Sequence, residues 1–198
     1  MSRTDAPSRI KSPVKRYISF SGGDGQWSYW DATASQEVEF DDLEFILVET
    51  RSSVTGWNDE LGGRITSNLT GSTKDTLKIR CKNKEIYSGT YADGKAEING
   101  LGGKFTTNLF GLARLDGKLT SVCVQLSGAA LAAWMKFVEE NSMRKIYEGG
   151  VMAVKGDQQK KGAVKYYVPN FQLVSAEKED LEAADKFSVT ELAPYLGQ

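Results

Sequence analysis

The sequence has no histidine and only two cysteines, Cys81 and Cys123, among its 198 residues. Histidine is the commonest general base and zinc ligand, so its absence excludes histidine-dependent triads and the usual zinc peptidases. Both cysteines lie in apolar, strand-like runs, which predicts a reducing compartment rather than disulfides. There is no run of about 18 apolar residues, and the amino terminus lacks the apolar core of a signal peptide. We therefore expect a cytoplasmic protein without membrane contact.

Prolines are few, only 4, and the composition of 40% apolar and 26% charged residues is that of a folded globular chain. At this length a domain buries about 70% of its unfolded surface, so it needs no disulfide or metal for stability. The chain divides by composition into three parts. We expect a flexible basic arm over 1–13, a main domain over 14–175 and an acidic, partly helical segment over 176–198.

The net charge of -1 conceals strong segregation of charge along the chain. Residues 24–60 carry ten acids against one arginine, whereas residues 71–118 carry nine lysines or arginines against five acids. Local clusters determine the electrostatic field that a ligand meets. A nearly neutral total therefore does not exclude an anionic ligand, although chance clustering on a solvated surface remains the alternative.

Most of the chain is predicted to be β-structure, because its apolar runs are rich in β-branched and aromatic residues. Asp116-Gly117 between two such runs predicts a tight antiparallel hairpin, and 156–162 predicts a longer, mobile hairpin loop. Apolar spacing predicts one helix over 128–140, with Ser127 as its N-cap, and a weaker helix begins near Ala176. The predicted strands are 14–20, 43–49, 76–82, 85–91, 104–115, 118–126, 151–155 and 163–174.

Two predicted strands carry a basic face. In 76–82 the basic side chains alternate with apolar ones, and 104–115 repeats this pattern with Phe110 on its polar side. Such a surface suits the phosphates and bases of a single strand, although lysines on a strand also simply maintain solubility. The candidate phosphate contacts are Lys78, Arg80, Lys82, Lys104 and Arg114, and the candidate stacking rings are Phe110, Tyr87, Trp30 and Trp57.

Other motifs have weaker interpretations. Trp27 and Trp30 follow a glycine-rich loop and either present rings to a ligand or anchor that loop to the core. Gly102-Gly103-Lys104 lacks the spacing and the hydroxyl residue of a phosphate-binding loop. An enzyme acting on nucleotides would need Asp41, Asp42 and Glu44 to converge with a metal ion, but such a run is more often a solvated turn. We therefore expect a protein that is not an enzyme and has no metal or other cofactor.

A resemblance to known proteins rests on several short segments. They are Val54–Trp57, Ser67-Asn68, Gly103–Thr106, Leu126–Leu131 with Trp134 and Phe137, and Tyr166–Phe171. In these segments the chain resembles bacteriophage single-stranded DNA-binding proteins with an oligonucleotide-binding (OB) fold. The resemblance implies an antiparallel barrel with flanking helices, and an acidic tail that recruits replication partners or competes with DNA. The acids here end at Glu191, so the last residues depart from that pattern.

The sequence thus predicts a mainly β, OB-fold-like protein that binds single-stranded DNA without sequence preference in phage replication or recombination. Its expected partners are single-stranded DNA and, through the acidic segment, replication or recombination proteins. The alternative is a non-catalytic structural or assembly protein of a virion. Oligomeric state, site size and preference for DNA over RNA stay open.

Overall fold

The computed structural model describes residues 10–197 and is mainly β. Within that range no helix is both long and apolar enough to cross a lipid bilayer. The strands are β1 Arg16–Phe20, β2 Trp27–Asp31, β3 Gln36–Phe40, β4 Asp42–Asn58, β5 Gly63–Ser67, β6 Leu77–Cys81, β7 Lys84–Gly89, β8 Gly103–Leu115, β9 Lys118–Ser127, β10 Gly150–Val154, β11 Gln158–Lys161, β12 Val164–Tyr167 and β13 Asn170–Val174. The helices are α1 Tyr91–Gly100, α2 Gly128–Asn141, α3 Met143–Tyr147, α4 Lys178–Phe187 and α5 Ala193–Leu196, and a π turn, Ser188–Leu192, joins the last two.

One large sheet runs in the order β3-β2-β1-β9-β8-β4-β5-β6-β7. Its neighbours are antiparallel except for β1 and β9, which are parallel. The first part of β4 also pairs with β10, which in turn pairs with β13. The sheet is mixed and does not close into a barrel, which corrects the expectation of an antiparallel barrel. The reason is that β1 occupies the edge of β9, while β13 pairs only with β10 among the described strands.

The main core lies between the sheet and α2. Trp134 and Phe137 of α2 pack on Phe171, with ring centroids 5.2 and 5.9 Å apart, and Trp134 also faces Phe45. Trp27 is fully buried in the same core, so it anchors the glycine-rich loop of residues 21–26. The side of the sheet that α2 covers is called the inner face below, and the opposite side the outer face.

Residues 59–102 form an insertion between β4 and β8 that carries β5, β6, β7 and α1. The insertion has its own small core, which includes Val54, Ile65 and Ile79, and Tyr91 packs on Phe105 with centroids 4.6 Å apart. Its strands extend the main sheet beyond β4. The insertion therefore lengthens both faces of the sheet.

Residues 178–197, called the C-terminal segment, cover part of the outer face. Phe187 and Leu192 are buried there against Ile46, Phe110 and Leu112. The predicted helix from Ala176 is thus present as α4. Leu192, Tyr195 and Leu196 of the tail pack against the sheet.

Local signals in the sequence have mixed outcomes. Asp116 and Gly117 both have positive φ, 50° and 74°, and join β8 to β9 as the predicted tight hairpin. Ser127 precedes α2, but its side chain makes no capping hydrogen bond. The predicted strand 163–174 is interrupted at Val168-Pro169 because proline has no N–H to donate to a ladder. Residues 1–9 of the predicted arm lie outside the described range. In the described part of the arm, Pro13 O accepts a hydrogen bond from Ser121 Oγ at 2.7 Å.

Candidate nucleic-acid interface

The register of the sheet determines which side chains share the outer face. Residues directly opposite one another on neighbouring strands point to the same side. Lys104 lies opposite Thr55, Trp57 opposite Arg64, and Arg80 opposite Thr66. Since Thr55 and Thr66 are also opposite one another, all these side chains project from one surface.

A group of exposed cations crosses this surface. We call the set the basic lane, and it consists of Arg64, Lys78, Arg80 and Lys104 together with the ring of Trp57. None of the ion pairs within residues 10–197 involves one of these four cations. From β8 through β4 and β5 to β6 the lane crosses three strand spacings, or about 14 Å. It therefore offers cations without ion pairs beside an aromatic ring, and Glu85 of β7 is the residue opposite Arg80.

Two tryptophans are prominent on the surface. Trp57 is 56% exposed within the lane, and Trp30 of β2 is 62% exposed. Both lie on the outer face, but β1, β9 and β8 separate Trp30 from β4, which is about 19 Å at ordinary strand spacing. The structure therefore brings Trp57 together with the cations and leaves Trp30 apart.

Phe110 and Arg114 lie on the predicted side of β8, but the C-terminal segment covers Phe110 and forms an ion pair with Arg114. Phe110 is only 2% exposed, which corrects its interpretation as an exposed stacking ring. Arg114 makes a bidentate ion pair with Asp180 of α4, with N–O distances of 2.7 and 3.0 Å. Strand alternation places a residue on a face but does not reveal that a distant segment covers it.

Tyr87 and Lys82 also differ from the prediction. Tyr87 lies opposite Ile79, on the inner side of the insertion, and its hydroxyl donates to Thr90 O at 2.9 Å. Lys82 and Asn83 have φ of 47° and 66° and form the turn between β6 and β7, so Lys82 is not part of the strand alternation. Its side chain runs beside Gly63 rather than in line with Lys78 and Arg80.

A cavity of about 420 Å³ opens at the end of the lane, under the C-terminal segment. Its floor is polar: Asn108 donates to Ser53 Oγ at 2.8 Å and accepts from Gln125 Nε2 at 3.0 Å. Tyr17 and Arg64 line its sides. Arg64 was not among the predicted site residues. The signal that could have found it is the alternation of polar Arg64 and Thr66 with apolar Ile65, which places Arg64 on the polar face of β5.

The acidic run and the cysteines show no grouping that could hold a metal ion within the described residues. Asp41, Asp42 and Glu44 are exposed, and no three acidic or cysteine side chains within residues 10–197 are arranged to hold a metal ion. Burial raises the pKa of the Cys123 thiol to about 12, so it is protonated at neutral pH. Cys81, at the end of β6, is also buried.

Comparison of the chain with protein-family models, with curated proteins and with solved structures found no match. The arrangement of side chains is therefore the basis for any functional assignment. That arrangement places four unpaired cations, an exposed indole and a polar cavity on a single face.

Proposed function

We propose that this protein binds single-stranded nucleic acid, with DNA as the expected ligand, along the basic lane. The observation that carries the proposal is the set of four cations without ion-pair partners beside the exposed ring of Trp57. Cations contact phosphates of any sequence, and a ring stacks on any base. Binding along the lane is consequently expected to depend little on sequence.

The order of strands supports an OB-like interpretation of the central part of the chain. We infer that β4, β8, β9, β10 and β13 correspond to the five OB strands, with α2 between the third and the fourth. In OB folds the face of strands 2 and 3, together with the loops between strands 1 and 2 and between 4 and 5, binds oligonucleotides. By this correspondence the first loop is the insertion that carries Arg64, Lys78 and Arg80.

The second loop of the OB correspondence contains the hairpin of β11 and β12. Its lysines Lys160, Lys161 and Lys165 are exposed and take part in no ion pair within residues 10–197. These lysines add positive charge to the OB-like part of the chain. The exposed acids of α4 are, in the same proposal, the surface for replication or recombination proteins.

The direct test is a titration followed by tryptophan fluorescence. Oligo-dT at 50 mM salt is expected to quench the wild-type protein, because a stacked base lies against Trp57. Trp57→Phe should lose this signal, whereas Trp30→Phe should retain it. Loss of the signal in Trp30→Phe alone would place the contact elsewhere on the outer face.

A charge-reversal pair separates the lane from the rest of the surface. Lys78→Glu with Arg80→Glu should weaken binding of all oligonucleotides alike. The matched control is Lys136→Glu with Lys145→Glu, which changes the charge equally on α2 and α3. Equal loss in both pairs would mean a diffuse charge effect. No binding at 50 mM salt, together with concentration-dependent assembly, would instead favour the virion assembly protein.

A further inference from the structure

The cavity at the end of the lane has the size and the chemistry of a small-ligand site. Its volume of about 420 Å³ lies within the range of roughly 300–1,000 Å³ that is usual for such sites. Polar residues form its floor although the position is buried, with Asn108 2% and Ser53 4% exposed. Buried polar groups are costly unless they are hydrogen-bonded, so the floor is a feature that the fold must stabilise.

The floor is held in one orientation by its own hydrogen bonds. Asn108 Nδ2 donates to Ser53 Oγ and to Arg51 O, at 2.8 and 3.3 Å. Asn108 Oδ1 accepts from Gln125 Nε2 at 3.0 Å, and the Cys123 thiol donates to the same oxygen at 3.8 Å. The Asn108 amide is thereby fully used, and it fixes the orientation of the Gln125 amide.

Gln125 has hydrogen-bonding capacity left over. Its Nε2 carries a second N–H, and its Oε1 has no partner within residues 10–197. The half-buried amide therefore presents one donor and one acceptor to the cavity that it lines. A glutamine amide pairs in this way with the N6 amino group and N7 of adenine.

The walls of the cavity provide aromatic rings for a base and a positive charge for a phosphate. Tyr17 and Tyr195 line the cavity and offer rings, while Arg64 belongs both to the cavity and to the lane. We propose that the cavity binds one unpaired adenine base of the strand that lies on the lane. This inference rests on the proposed function, and it makes one position of an otherwise sequence-neutral site selective.

The test compares hexamers of dT that carry a single central dA, dC, dG or abasic residue, with binding measured by fluorescence anisotropy. The wild-type protein should bind the dA hexamer about 5- to 150-fold more tightly than the others. Gln125→Met, of similar size, should abolish this preference. The control Gln172→Met, whose side chain is exposed on β13, should retain it.

The outcomes separate the two proposals. Equal binding of all hexamers by the wild-type protein would overturn the adenine site and leave binding along the lane intact. No binding of any hexamer would overturn both. A cross-link test needs no variant: a hexamer with one 8-azidoadenine should label the peptides of Tyr17 or Tyr195 in the wild-type protein. Labelling confined to other peptides would refute the site.

Discussion

The unpaired cations of the basic lane determine how strongly salt should weaken DNA binding. Each phosphate contact to a single strand contributes about -0.7 to the slope of log K against log salt. Four cations, Arg64, Lys78, Arg80 and Lys104, give a slope of about -2.8, or a loss of roughly 600-fold in affinity from 50 to 500 mM. Neutralising two of them with Lys78→Gln and Arg80→Gln should halve the slope to about -1.4, or a loss of roughly 25-fold.

The measurement is a set of oligo-dT titrations at four or more salt concentrations for the wild-type protein, the double variant and Lys136→Gln with Lys145→Gln. The control pair should keep the wild-type slope, because both lysines lie on helices away from the lane. A wild-type slope near -3.5 would indicate one further phosphate contact, from Arg114 after it leaves Asp180 or from a lysine of the β11–β12 hairpin. A double variant that retains the full slope would refute the lane.

Four further predictions concern the structure around the site. Phe187→Ala should lower the free energy of unfolding, measured in denaturant, by about 3–5 kcal/mol because Phe187 is buried against the sheet. Val189 is exposed on the same segment, so Val189→Ala should change that free energy by less than about 0.5 kcal/mol. Asp180→Asn should change the free energy of unfolding by less than about 1 kcal/mol, since its ion pair with Arg114 is partly exposed. The same substitution should raise the affinity for oligo-dT because it frees Arg114. Unchanged affinity would mean that α4 still blocks that arginine. Burial raises the pKa of Cys123, so above the unfolded thiol pKa of about 9 the unfolded state loses a proton that the folded state keeps. The free energy of unfolding should therefore fall by about 1.4 kcal/mol per pH unit from about pH 9 towards 12. Cys123→Ala should make that dependence shallower between pH 9 and 10 without abolishing it, because burial also raises the pKa of Tyr17, Tyr91 and Tyr147. An unchanged slope would contradict the buried thiol. Gly56→Ala should lower the free energy of unfolding by about 1–3 kcal/mol, because a Cβ at Gly56 would clash with Gly102 O where β4 meets β8. As the control, Gly100→Ala should not lower stability in the same denaturation assay, since a Cβ there meets no described atom within contact distance.

Much of the β-structure could be predicted from the sequence because its signals are local. Alternation along Leu77–Cys81 and Gly103–Leu115 places the basic side chains opposite the apolar ones, and the structure keeps that division. The turn at Asp116-Gly117 is specified by two residues that accept positive φ. The apolar stripe of α2 predicts the helix over nearly its full length.

Strands with weaker patterns were not predicted. The second half of β4 is polar around Arg51–Ser53, and it is held as a strand by pairing with β8 on one side and β5 on the other. The strand β3 carries exposed Glu37 and Glu39 and, among the described strands, pairs only with β2. In both strands the stabilising hydrogen bonds come from partners that a short window of sequence does not contain.

The sequence by itself determined which side chains share a strand face, since alternation depends only on the geometry of an extended backbone. Only the tertiary structure decided which of those side chains reach solvent. It joined Trp57 and Arg64 to the predicted cations, moved Tyr87 to the opposite face, and placed α4 over Phe110 and Arg114. The physical reason is that covering a face and assembling a site both depend on contacts between segments far apart in the chain, and such contacts are selected by packing of the whole fold rather than by local preference.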